Sequence, residues 1–198
     1  MPTDSRIALW FGVAVPFLYF GTQIAASPFY PGYSFITDAA SLLGSDRSTF
    51  PVLFNLGAMG TGVAMIVSAY GFVRTLPDAG GWRIVAWLLG LALVSAGLGS
   101  VCAGWFPLPS PQHAIGAAGS GIFLLPLLFL TAFWRVRGAA TTRGYFIVNL
   151  LLFGAIAAVM SGAVGMNVAP WAGVMQRMIA AVVMIPIAVA AVHLIRKS

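Results

Sequence analysis

Six long apolar runs, separated by charged or Pro/Gly breaks, dominate the chain: residues 7–26, 51–72, 82–106, 114–134, 145–166 and 168–195. A helix of about 20 residues crosses a hydrocarbon core, and in lipid every backbone N–H and C=O must be satisfied within the segment. Each run therefore predicts a transmembrane α-helix. No connector is long enough to form a soluble domain, so the expected fold is all-α, a polytopic bundle of six spans forming one domain over 1–198. The first run resembles a signal peptide, but it carries Gln23 and is long enough to span, which identifies it as an uncleaved first helix. Small residues recur at close spacing, as in Gly57 and Thr61, Gly90 and Val94, and the stretch AGLGS, and predict tight helix packing. Pro16, Pro126 and Pro186 lie within spans and predict kinks. No tandem repeat is visible, which argues against an inverted-repeat transporter built within this chain.

The longest connector breaks the pattern. It reads PFYPGYSFITDAASLLGSDRS, residues 28–48, and holds two of the four carboxylates. After the Tyr-Pro-Gly turn, Phe35, Ile36, Ala39, Leu42 and Leu43 follow helical spacing, while Ser34, Asp38, Ser41 and Ser45 recur on another face. The spacing predicts a short amphipathic helix ending at Gly44. It lies at the interface or dips its polar stripe into the bundle. Ser45, Asp46, Arg47 and Ser48 then precede the second span as a candidate cap.

Composition agrees with the pattern. Hydrophobic residues make up 60% of the chain and charged ones 7%, with a mean hydropathy of +0.97, whereas soluble proteins carry about a quarter charged residues. The net charge of +6 invites a nucleic-acid partner until the positions are read. The cations do not form a patch, and no nucleic-acid binding is expected. With the N-terminus in the cytoplasm, Arg6, Arg74, Arg83, Arg135, Arg137, Arg143, Arg196 and Lys197 fall inside and only Arg47 outside, so both termini are expected to be cytoplasmic. The quoted loop, the PLPSPQH connector and a tight turn at Asn167–Pro170 then share the outer face. A single cysteine, Cys102, excludes an internal disulfide and a CxxC site.

The candidate chemistry collects on that face. Arg177 follows Gln176 about two turns inside the outer end of the sixth span, where a charge needs a partner or water. Asp38 and Asp46 are the acidic candidates, because Asp4 and Asp78 lie on the other side. One reading is a structural ion pair that pins the loop to the sixth helix. The other is an anion site, in which the guanidinium meets a lipid phosphate or similar group. His113 at the entrance to the fourth span, Asn55 in the second, Gln23 in the first and Ser41 in the loop would complete a polar pocket. If the protein is an enzyme, Asp38 or Asp46 would act as general acid or base with His113 assisting. A Ser41, His113, Asp38 triad lacks any nucleophile-elbow pattern. Two histidines, His113 and His193, are too few and too far apart for a zinc or bis-histidine haem site, so no metal and no cofactor is expected. No phosphate-binding glycine loop is present.

The run YPGYSFITDAASLLGSDRSTFPVLFNLG, then GWFPLPSPQHAIGAAGS, then VMQRM, resembles the prokaryotic membrane family known as domain of unknown function 998. The stretch Tyr33–Asp38 is distantly similar to the first loop of the DRAM and Sfk type membrane proteins. The resemblance implies six helices, with Asp38, Ser41, Asn55, Pro107, His113 and Arg177 at motif positions, and a prokaryotic plasma membrane. The DRAM and Sfk likeness implies a role in membrane-lipid organisation. Three classes of function follow as expectations: a lipid-handling protein with a membrane lipid or lipid-like small molecule as partner, an intramembrane enzyme acting on a lipid or isoprenoid, and a structural subunit with protein partners or a homo-oligomer.

Overall fold

A computed structural model describes residues 1–197, with 115–118 described by their backbone. Ser198, the end of the expected domain, lies outside the described residues. Six helices are long and apolar enough to cross a membrane: α1 Thr3–Ala26, α2 Pro51–Thr75, α3 Arg83–Trp105, α4 Leu125–Phe133 with the 3-10 stretch Pro111–Leu124 before it, α5 Ala140–Met160 and α6 Ala172–Arg196. The described chain has no strand. This is the all-α, six-span architecture that the apolar runs predict.

The order of packing is circular: α1 lies on α2, α2 on α3, α3 on the 3-10 stretch, α4 on α5, α5 on α6 and α6 back on α1. Small residues set the closest approaches. A β-carbon at Gly62 would stand 2.4 Å from the carbonyl oxygen of Gly97, and one at Gly97 would stand 2.5 Å from that of Gly62, so α2 and α3 touch backbone to backbone. Gly57 lets α1 approach α2 through a side chain, that of Thr22. Toward the chain termini the core is aromatic: Phe129 packs on Phe72 and Phe146, and Phe133 on Phe146, with centroids 5.1–5.6 Å apart. Large apolar side chains such as Phe17, Ile24, Leu91 and Leu151 cover the outside of the bundle, the arrangement that lipid rather than water favours.

Four segments differ from the sequence expectation. The helix of the first loop is confined to five residues of 3-10 conformation, Ala40–Gly44. Residues 34–38 are turns instead, because the Ser34 hydroxyl accepts the Ile36 and Thr37 amides and the Asp38 carboxylate accepts the Ser34 amide, local bonds that compete with a helix. α5 ends at Met160, not 166: Gly162 and Gly165 take positive φ values of 78° and 69°, and the turn at 167–170 is the end of a longer exposed connector. The fourth span enters as a 3-10 helix, and Pro126 stands in the first turn of α4, where a proline costs no internal hydrogen bond, rather than kinking its middle. Finally, α2 has no side-chain cap at Phe50.

Candidate functional site

At one end of the bundle the loop between α1 and α2 folds over the start of α6. Gly173 makes this contact close: a β-carbon there would stand 2.6 Å from the Asp38 carbonyl oxygen and 2.7 Å from that of Phe35. The Val174 amide donates to the Ile36 carbonyl (3.1 Å), and the Gln176 Oε1 accepts the Ala40 amide (2.7 Å).

Arg177 is the centre of the contact. Its Nη1 donates to the carbonyls of Gly173, Asp38 and Phe35 at 2.8, 3.0 and 3.1 Å, and its Nη2 donates to the Tyr33 hydroxyl. The guanidinium also stacks over the Phe35 ring, 4.8 Å from its centroid, and over that of Tyr33 at 5.7 Å. Burial pushes the Tyr33 phenol above its ordinary value, and the Arg177 charge opposes the shift.

Of the two readings of Arg177, the ion pair is not formed. Among the described residues no carboxylate pairs with Arg177. Asp38 reaches it through its main-chain carbonyl, while its two carboxylate oxygens accept the Ser34 amide (2.9 Å) and the Thr37 hydroxyl (3.1 Å). Asp46 is exposed and makes no hydrogen bond. Carbonyl dipoles converging on the guanidinium do the work assigned to a counter-charge, which is how a membrane cation is otherwise satisfied.

The remaining candidates are distributed along the same end. Asn55 donates to the Gly44 carbonyl at 3.1 Å, tying the far end of the loop to α2. His113 turns back on its own connector, with Nδ1 2.8 Å from the Phe106 carbonyl oxygen. Among the described residues the Ser41 side chain makes no hydrogen bond, so no bond joins Ser41, His113 and Asp38 into a triad. Ser48 accepts the Phe50 amide and donates to the Phe29 carbonyl, closing the base of the loop.

Two polar atoms at this end are buried without a partner: Oε1 of Gln23 and Nε of Arg177. Gln23 lies one turn beyond Tyr19 on α1, with Nε2 donating to the Tyr19 carbonyl. Tyr19 and Gln176, the latter bonded to the loop at Ala40, in turn line a cavity of about 360 Å³, walled by Ala96, Ala103, Ile122 and Met184 among others. The sequence does not announce this cavity, because most of its wall is apolar residues that look like ordinary packing. Among the described residues no cluster of His, Cys, Asp or Glu is arranged to hold a metal.

Fold and site together define a multi-pass α-helical membrane protein whose first loop is locked onto its last helix by an arginine. The chain belongs to the family described as "Protein of unknown function (DUF998)", which matches residues 13–193. No curated protein and no solved structure matches the chain.

Proposed function

We propose that the protein holds a lipid or lipid-like amphiphile at the outer leaflet of a prokaryotic plasma membrane, with both termini in the cytoplasm. The observation that carries the reading is the cavity lined by the loop-bonded Gln176, where an apolar wall meets three polar side chains, Tyr19, Ser100 and Gln176. Ligand sites combine apolar lining with a few placed polar groups in this way. An apolar chain would occupy the space between the 3-10 stretch and α6. A hydroxyl-bearing head, able to accept from Arg177 Nε and donate to Gln23 Oε1, would lie toward these two buried atoms, which have no partner among the described residues. Buried polar atoms normally find one. With Nη1 of Arg177 engaged by carbonyls, the guanidinium both holds the lid and offers its remaining edge to the ligand. Asp38 and Asn55 support the lid, Ser41 and His113 stand at its margin, and the loop aromatics Phe29, Tyr30 and Tyr33 lie at the interface. The orientation follows the distribution of Lys and Arg.

Native mass spectrometry with lipidomics on gently solubilised protein tests the reading. Ala103→Phe fills the half-buried wall of the cavity and leaves the arginine contacts untouched. Wild type should retain a defined lipid that Ala103→Phe loses while keeping its thermal stability. An identical, unselective lipid content in both proteins would remove the lipid site and leave the loop as a purely structural lid.

A further inference from the structure

The opposite end of the bundle holds a second, differently built cavity. It encloses about 280 Å³ between the α2–α3 connector, the α4–α5 connector and the C-terminal turn of α6, and its polar lining includes Thr75, Asp78, Arg137, His193 and Lys197. Three features point to a ligand. First, among the described residues the cations have no carboxylate partner: the Arg137 guanidinium donates only weakly, at 3.4 Å, to the Asp78 carbonyl, and the Lys197 ammonium makes no hydrogen bond. Lys197 lies over Gly138, with Nζ 2.3 Å from where a β-carbon would stand. Second, His193 is fixed by Thr142, whose hydroxyl is 2.9 Å from Nδ1, and by the edge-on Phe133 ring, yet its Nε2 is buried without a partner. Third, His193 and Lys197 also line a neighbouring groove of about 530 Å³ on the flank of the bundle, walled by Val13, Phe17, Ala188 and Val192. A cationic cavity thus adjoins, across two shared side chains, an apolar groove between α1, α5 and α6.

We propose that this end binds one anionic phospholipid, with its phosphodiester at Lys197, Arg137 and His193 and an acyl chain along the flanking groove. Basic pockets between helices suit such head groups. The Thr75 hydroxyl already donates to the Gly71 carbonyl. The Asp78 carboxylate is an uncommitted acceptor on the cavity wall, and it selects a head group that carries hydroxyls over one that is a bare second phosphate. The site shares no residue with the outer cavity, so either can fail without the other.

The full chain is reconstituted in nanodiscs of phosphatidylcholine with a minor share of phosphatidylglycerol, and the lipids retained are read by native mass spectrometry. Wild type should keep one phosphatidylglycerol per chain in preference to phosphatidylcholine. Lys197→Gln alters an exposed side chain at the end of α6 and leaves the fold intact. Its preference should fall roughly fivefold, and that of Lys197→Gln with Arg137→Gln about thirtyfold. Ala188→Phe, which narrows the groove and keeps every cation, should also lose the lipid. Equal retention of both lipids by wild type, or unchanged preference in the charge variants, overturns the proposal. So does inorganic phosphate binding that depends on Lys197 while Ala188→Phe retains its phosphatidylglycerol, because the cavity would then serve a soluble anion.

Discussion

Arg177 is held by dipoles, and this separates two residues that a charge-pairing argument would treat alike. The guanidinium joins three carbonyls and the Tyr33 hydroxyl, whereas the Asp38 carboxylate closes its own turn. Arg177→Gln is too short to reach the loop and should lower stability by roughly 2–3 kcal/mol, the scale of hydrogen bonds to a charged group. Asp38→Asn keeps an oxygen for the Ser34 amide and should cost less than about 1 kcal/mol. Thermal unfolding in detergent checks the totals, and hydrogen exchange at the amides of Ile36, Asp38 and Ala40 reports the loop itself. Equal losses in the two variants would restore the ion pair. The arginine's importance was legible in the sequence because a charge inside an apolar run is conspicuous. Its partners were not, since every residue owns a carbonyl and no side-chain letter announces which three will converge.

Between elements, the seam of α2 and α3 sets backbone against backbone, and glycines on the same helices differ in what surrounds them. At Gly97 a β-carbon would meet the Gly62 carbonyl and the Ile66 side chain at 2.5 and 2.6 Å, while at Gly60 nothing lies within 4 Å. Gly97→Ala should therefore destabilise by about 1–3 kcal/mol through overpacking against rigid backbone. Gly60→Ala should stabilise by roughly 0.5–1 kcal/mol, because alanine is the better helix former where space is open. Unfolding midpoints of the two variants should move in opposite directions, and a shared sign would contradict the seam. The helix ends show the same division between what composition carries and what it does not. α2 and α3 start and stop within three residues of their expected bounds, because Pro51, Arg74, Arg83 and Phe106 with Pro107 mark them. The run of α5 continues as apolar residues through Gly162, Ala163, Val164 and Gly165, and hydropathy alone does not separate an apolar helix from an apolar loop. The 3-10 entry to the fourth span is equally silent in composition, since it depends on how Gly119 and Gly121 approach α3.

At the scale of the whole molecule, the two ends of the bundle have different chemistry, and the proposed orientation rests on that difference. One end presents the locked loop, the connector 161–168, Trp105 and Trp171; the other gathers Met1, Asp78, Arg137 and Lys197 around one cavity, with Arg135 over Trp82. Six spans return the chain to the side on which it began, so one experiment tests topology and orientation together. In a Cys102→Ala background, single cysteines replacing the exposed Asp46 and Asn167 should react with a membrane-impermeant maleimide on intact cells. Cysteines replacing the exposed Asp78 and Thr141 should react only after permeabilisation. The reverse pattern would invert the protein and bring the arginine-locked lid to the cytoplasm, contrary to the bias of Lys and Arg. A split within either pair would break the six-span topology, because Asp46 with Asn167, and Asp78 with Thr141, are each separated by an even number of crossings. The labelling also decides which leaflet supplies each cavity: the basic one can draw on the anionic lipid of the cytoplasmic leaflet only if the second pair is the protected one.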